Sequence, residues 1–410
     1  MTLGNLFTSV FAPWLKTLTI AVVCAILLPA TFLRAAEIDM TARYEVSLTG
    51  NDSAQFINTT QSVGYCVSYP NECRSAARGS FRIPTTMLAV PLVQGQAIRQ
   101  RVPRGWRKAT VTHADGSTAE VELSIVGMGS VYTISNVASG QAGHAAVWQG
   151  GDWYVAIPGG CVRGTGASFT NHTFSYFWFH NSNNACVKIP NISMASVRFG
   201  SLQFVYDIKT PNPLGMSHGE YTGTLALTVG PQGDIELGNG AASDPILNVN
   251  FKLDVVHLLR VQFPVNSSLL ALQPKGGWKQ WLNSGGSHRP SKLMFNQPFR
   301  LWSSAKFNVK LQCEFALGDD CGLQSDKNST QIPFKTRITL PAGIVGDGVT
   351  AANRYLLSAS TKSVFHPTGI IRNARSELNF EVEKSGVDQM IDSGGGRFRG
   401  NVTMVFDFEI

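Results

Sequence analysis

The sequence predicts an all-β protein made of two tandem β domains. Three observations carry that expectation. Charged residues make up only 15% of the 410-residue chain and Gly reaches 40, a mix suited to many turns between β-branched strands. Short apolar runs recur between Gly, Pro, Asn and Ser breaks, and persuasive amphipathic helices are scarce, the pattern of a sandwich or barrel. One strand motif also occurs twice, as Gly219-x-Tyr221-x-Gly223-x-Leu225-x-Leu227-x-Val229 and as Gly396-x-Phe398-x-Gly400-x-Val402-x-Met404-x-Phe406. The length allows two or three domains of about 100–200 residues.

Residues 1–36 read as a secretory signal. Lys16 precedes a mostly apolar stretch over residues 17–28, and the small residues Ala35 and Ala36 precede Glu37. The rival reading is an uncleaved anchor, although the run is short for a span of about 20 residues. Removing Lys16 and Arg34 takes the formal charge from +7 to +5. That charge permits contact with acidic glycans or membranes and implies no nucleic acid. Of the seven cysteines, Cys24 lies in the signal. The remaining Cys66, Cys73, Cys161, Cys186, Cys313 and Cys321 form an even set, expected as disulfides in an oxidising compartment. Nearest-neighbour pairing is the simplest of several connectivities. No C-x-x-C is present, and no cofactor or metal is expected.

The mature chain opens on a strand. Ile38, Met40, Ala42, Tyr44, Val46 and Leu48 alternate with polar residues, so one face is buried. Further strands are expected over residues 118–126, 131–134, 153–157 and 174–179. Residues 238–245 are small and turn-rich and suggest the boundary. The expected domains are residues 37–240 and 246–410, joined by a linker at 241–245. Leu247, Val249, Phe251, Leu253 and Val255 then open the second domain on another alternating strand. The chain closes on a third, with Val402, Met404, Phe406, Phe408 and Ile410 on one face. Taken alone, such a strand can already be paired on both sides, or it can carry an open edge that another chain completes.

The G-x-[Tyr/Phe]-x-G strand, here Gly396, Phe398, Gly400, Val402, Met404 and Phe406, resembles the C-terminal strand of chaperone–usher fimbrial subunits. The two-half layout resembles two-domain pilus tip adhesins of the colonization-factor type. The resemblance implies two Ig-like β-sandwich domains, the first receptor-binding and the second an incomplete pilin fold. It implies a periplasmic chaperone that lends a strand and an outer-membrane usher that exchanges it for the N-terminal extension of a neighbouring pilin subunit. Val402, Met404, Phe406, Phe408 and Ile410 would carry that pairing. It implies passage through the periplasm to a fimbrium at the bacterial cell surface. Residues 38–48 can be an integral first strand or a donor strand.

The densest basic run is Arg99, Arg101, Arg104, Arg107 and Lys108, with Trp106 inside it. Guanidinium forks suit carboxylates and sulfates, and an indole offers a flat face to a sugar ring, so a host glycan is the candidate ligand. The competing reading is a solvated loop. Trp148, Trp153 and Tyr154 form a second aromatic group. Residues 174–180 read as a buried strand, and Trp278, Trp281 and Trp302 as packing residues. Asp392-Ser393-Gly394-Gly395 lacks the preceding Gly of a serine-protease loop, and G-x-S-x-G, H-E-x-x-H and P-loop patterns are absent. The expectation is therefore a binding protein and no enzyme. The alternatives are a non-adhesive minor structural subunit or assembly initiator, and a secreted carbohydrate-active enzyme.

Overall fold

The computed structural model describes residues 35–48, 50, 54–74, 78–137, 140–155, 160–265, 267–283, 288–347 and 351–409. The expected signal peptide and Ile410 lie outside these described residues. The chain is all-β with a few short helices, as expected. The described residues belong to one compact unit, and within it two separate large hydrophobic cores form.

The first core is built on a thirteen-stranded sheet. Its organising strand is Ile246–Val256, which lies between two others. On one side Ala35–Glu45 runs parallel to it over all eleven residues, from Ala35 opposite Ile246 to Glu45 opposite Val256. On the other side Gly219–Thr228 runs antiparallel, with Tyr221 opposite Leu253 and Leu227 opposite Leu247. Period-two alternation therefore buries Met40, Ala42 and Tyr44 beside Leu247, Val249, Phe251, Leu253 and Val255.

That placement corrects the expected boundary. Residues 246–256 were assigned to the second domain, but their apolar face belongs to the first core. Nor are residues 241–245 a linker. Leu88 donates to the Ala241 carbonyl, and Ser243 to that of Thr86, so the stretch is tied to the strand Met87–Leu92. Alternation shows that a strand has a buried face; it does not say which core receives that face.

Local expectations fared variously. Residues 118–126 and 131–134 form one strand, Thr118–Ile134, and residues 174–179 lie within Thr173–His180. Of the strand expected over residues 153–157, residues 153–155 are in a turn and 156–157 lie outside the described residues; Trp148, Trp153 and Trp178 are fully buried. The cysteines pair with their nearest neighbours, Cys66 with Cys73, Cys161 with Cys186, and Cys313 with Cys321.

The second core lies between two sheets. One runs from the edge strand Leu259–Gln262 through Leu293–Ser303 and Ile371–Val382 to Gln331–Thr339. The other has the order Ile344–Gly346, Ser363–Pro367, Phe307–Cys313, Val402–Phe408. Phe299, Leu301, Ile338, Leu378 and Phe380 face Phe307, Val309, Leu311, Ile344 and Phe365 across the interior.

Candidate functional site: the open edge of the terminal strand

The two motif copies share one local geometry. Gly219 and Gly396 have φ of 131° and 117°, values that side chains other than hydrogen rarely tolerate. The second glycines meet a crossing backbone: a Cβ on Gly223 would collide with the Thr110 carbonyl oxygen, and one on Gly400 with that of Gly322. Tyr221 is buried, with its hydroxyl 2.9 Å from Ser117 Oγ and accepting from Ser217 N at 2.7 Å.

Each copy has one main strand partner and a second that pairs only near its start. The first copy pairs with Ile246–Val256 along its length and, at Tyr221 and Thr222, with Arg107–His113. The second pairs through Val402–Phe408 with Phe307–Cys313, Val309 opposite Phe406 and Leu311 opposite Met404, and at Phe398 and Arg399 with Asp320–Ser325. Among the described residues no strand pairs with the other edge of Val402–Phe408. The outward N–H and C=O groups of Val402–Phe408 thus lack ladder partners, which makes the strand a template for addition.

Beside that edge lies a cavity of about 640 Å³. Gly400, Val402 and Met404 line one wall, and Phe263, Leu269, Leu270 and Leu272 another, with Phe334 and Phe380 also exposed to it. Val402, Met404 and Phe406 are only half-buried against the second core. Leu269 is 91% exposed at the rim. The second core is therefore partly open to solvent along this strand.

Phe408 has a different position from the one expected. Its ring stacks on His218 of the first half at 5.3 Å and 11° and lies 6.5 Å from buried His257. Glu409 anchors the end. It accepts from Lys362 Nζ at 2.7 Å and Asn308 Nδ2 at 2.9 Å, and the lysine chiefly holds its carboxyl below the usual range. So Val402, Met404 and Phe406 border the open core, whereas Phe408 ties the strand to the first half. The sequence signal for the facing wall was weak: Leu269, Leu270 and Leu272 follow two serines in a segment without strand alternation.

The basic run is brought together and engaged internally. Arg99 Nε lies 3.2 Å from Glu236 Oε1 and Arg101 Nε 3.6 Å from Glu236 Oε2, the carboxylate being buried. Arg104 donates to the His180 carbonyl and to Ser124 Oγ. Arg107 pairs with Asp234 at 2.7 Å and Lys108 with Glu120 at 2.8 Å. Lys209 Nζ covers the Trp106 ring at 3.9 Å. Arg99, Arg101 and Arg107 hold down residues 233–236. Beneath them His180 is buried beside the Cys161–Cys186 disulfide, and burial pushes its pKa down to about 4.

No family model and no curated protein matches the chain. Solved structures similar to it include the following two. One is CfaE, the adhesive subunit of CFA/I fimbria of enterotoxigenic Escherichia coli, at 10% identity over 91% of this chain and 92% of that one, with a TM-score of 0.22. The other is the CsuC–CsuE chaperone–tip adhesion subunit pre-assembly complex from archaic chaperone–usher Csu pili of Acinetobacter baumannii. It matches at 10% identity over 92% of this chain and 99% of that one, with a TM-score of 0.22.

Proposed function

We propose that this chain is a subunit of a chaperone–usher fibre, completed by a β-strand from another chain and serving adhesion at the fibre tip. The observation that carries the reading is the terminal strand, hydrogen-bonded on one side only beside a cavity of about 640 Å³ to which Phe263, Leu270, Leu272, Val402 and Met404 contribute apolar walls. A strand inserted there pairs with the free backbone groups of Val402–Phe408 and covers the open side of the second core. Each apolar side chain it buries contributes up to about 1.5–3 kcal/mol. A periplasmic chaperone supplies such a strand first and a neighbouring subunit replaces it, with exchange at an usher. The tip position is supported by the first strand, which is committed over eleven residues to its own sheet and is not free for donation. The motif resemblance points the same way.

The test has two arms. Met404→Ser and Phe406→Ser are expected to lower recovery of the chain from a periplasm that contains its chaperone. A synthetic peptide of alternating apolar residues is expected to bind the unsubstituted chain and raise its unfolding midpoint. Soluble monomer in equal yield with and without a chaperone, together with no response to any such peptide, would falsify the reading.

A further inference from the structure

We propose that the solvent face of the sheet formed by Leu259–Gln262, Leu293–Ser303 and Ile371–Val382 binds a sulfated glycan through Arg260, Arg300 and Arg375. These arginines are far apart in sequence and are assembled by strand register. Arg300 lies directly opposite Arg375, and Arg260 opposite Trp302, with Gln262 opposite Arg300. All three arginines are exposed. Like charges placed directly across a ladder destabilise it. Among the described residues none of the three forms an ion pair, although Arg337 and Arg354 further along the same face both pair with Glu381. The cationic group here has no ion-pair partner among the described residues, whereas Arg99, Arg101, Arg107 and Lys108 of the denser run each face a carboxylate.

Two of the forks are held in place before any ligand arrives. The Arg260 guanidinium lies 5.2 Å above the Trp302 ring. Arg300 Nη1 donates to the Asn373 carbonyl at 3.1 Å. Asn373 has φ of 47° in a ladder whose register shifts between Leu301 and Ser303. A residue other than Gly in the left-handed region costs stability and persists only where its surroundings enforce it. Here the distortion presents a carbonyl that orients Arg300. A cavity of about 420 Å³ opens beside it, bordered by Gln262, Arg300, Asn373 and Arg375.

This chemistry selects the ligand class. A guanidinium binds sulfate oxygens as a planar fork. Three adjacent strands spread the cations over about 10 Å, since neighbouring strands lie about 4.8 Å apart. That span exceeds one monoanion and matches successive sulfates along a chain. Gln262 and Asn373 add neutral partners for sugar hydroxyls. The site lies on the outer face, whereas Val261 and Phe263 pack toward the second core, so it does not depend on strand completion.

The full chain, as recovered from the periplasm with any chaperone it retains, is titrated calorimetrically with a heparin-derived hexasaccharide. Binding is expected, and it is expected to weaken as salt rises. The doubly substituted R300Q/R375Q chain should lose about tenfold or more in affinity, the effect of losing charge-assisted hydrogen bonds. R99Q/R107Q should bind as the unsubstituted chain does. R375Q alone should unfold at the same or higher urea concentration, because it relieves the Arg300–Arg375 repulsion. Four results would overturn the assignment: no binding at low salt, equal affinity for the desulfated hexasaccharide, unchanged affinity in a folded R300Q/R375Q chain, or preferential binding to vesicles of anionic phospholipid. A marked loss of stability in R375Q would also overturn it, by making Arg375 structural. The peptide experiment on the terminal strand reads a different surface, so either proposal can fail alone.

Discussion

His180 shows how a residue can acquire a role that its sequence neighbours do not announce. The ring is buried, with Gln100 Nε2 3.2 Å from its Nε2, and Tyr176 donates to Gln100 Oε1 at 2.9 Å. Its folded pKa is about 4, below the ordinary 6.5, because burial disfavours the imidazolium. The unfolded chain therefore binds the proton more readily. The stability held by neutral His180 is complete above pH 6.5 and is lost as pH falls toward 4, by up to about 3 kcal/mol. Urea unfolding of the wild type between pH 7 and 4 should show this decline, and His180→Gln should flatten it; parallel pH curves for the two would refute the assignment. The basic run teaches a related lesson. Arg99, Arg101 and Arg107 were recognisable as a cluster, but Glu236 and Asp234, which neutralise them, lie more than a hundred positions away. Arg260, Arg300 and Arg375 were invisible as a cluster for the converse reason.

At the scale of the element, the repeated strand was legible and so was its chemistry. Both copies need glycine where φ is positive and again where a crossing carbonyl leaves no room for a Cβ. Gly223→Ala is expected to destabilise the chain by about 1–3 kcal/mol, since the obstacle is backbone and cannot rotate away. Chemical denaturation would measure this; an unchanged midpoint would mean that the Arg107–His113 strand is free to withdraw. What the motif does not encode is the state of its second edge. The first copy has a second neighbour at Tyr221 and Thr222 and the second copy one at Phe398 and Arg399, while Val402–Phe408 is paired on one side. The same alternation buries one strand and leaves the other half-covered, because filling an edge depends on chain elsewhere. The facing residues Phe263 and Leu269 carried no periodic signal, being set by the path of a loop.

For the whole molecule, the shift of the boundary has the largest consequence. A fragment of residues 37–240 omits the strand between Ala35–Glu45 and Gly219–Thr228. It loses Leu247, Val249, Phe251, Leu253 and Val255, worth about 1.5–3 kcal/mol each on burial. That sum rivals the about 5–15 kcal/mol of net stability available to a domain. The fragment is expected to be insoluble or unfolded, and one of residues 37–257 to fold, as circular dichroism and proteolysis would report. A stable 37–240 fragment would restore the earlier boundary. The stack of Phe408 on His218 also joins the last strand to the first half, so the end of the chain touches both. Alternation, turn residues and cysteine spacing settled the β class, the buried faces and the nearest-neighbour pairing as the simplest disulfide scheme, because these depend on residues close in sequence. The parallel partnership of residues 35–45 with 246–256, the open edge and the arginine platform were decided by the tertiary structure. Strand neighbours and cross-strand charges are set by contacts between segments far apart in the chain, and no local period records them.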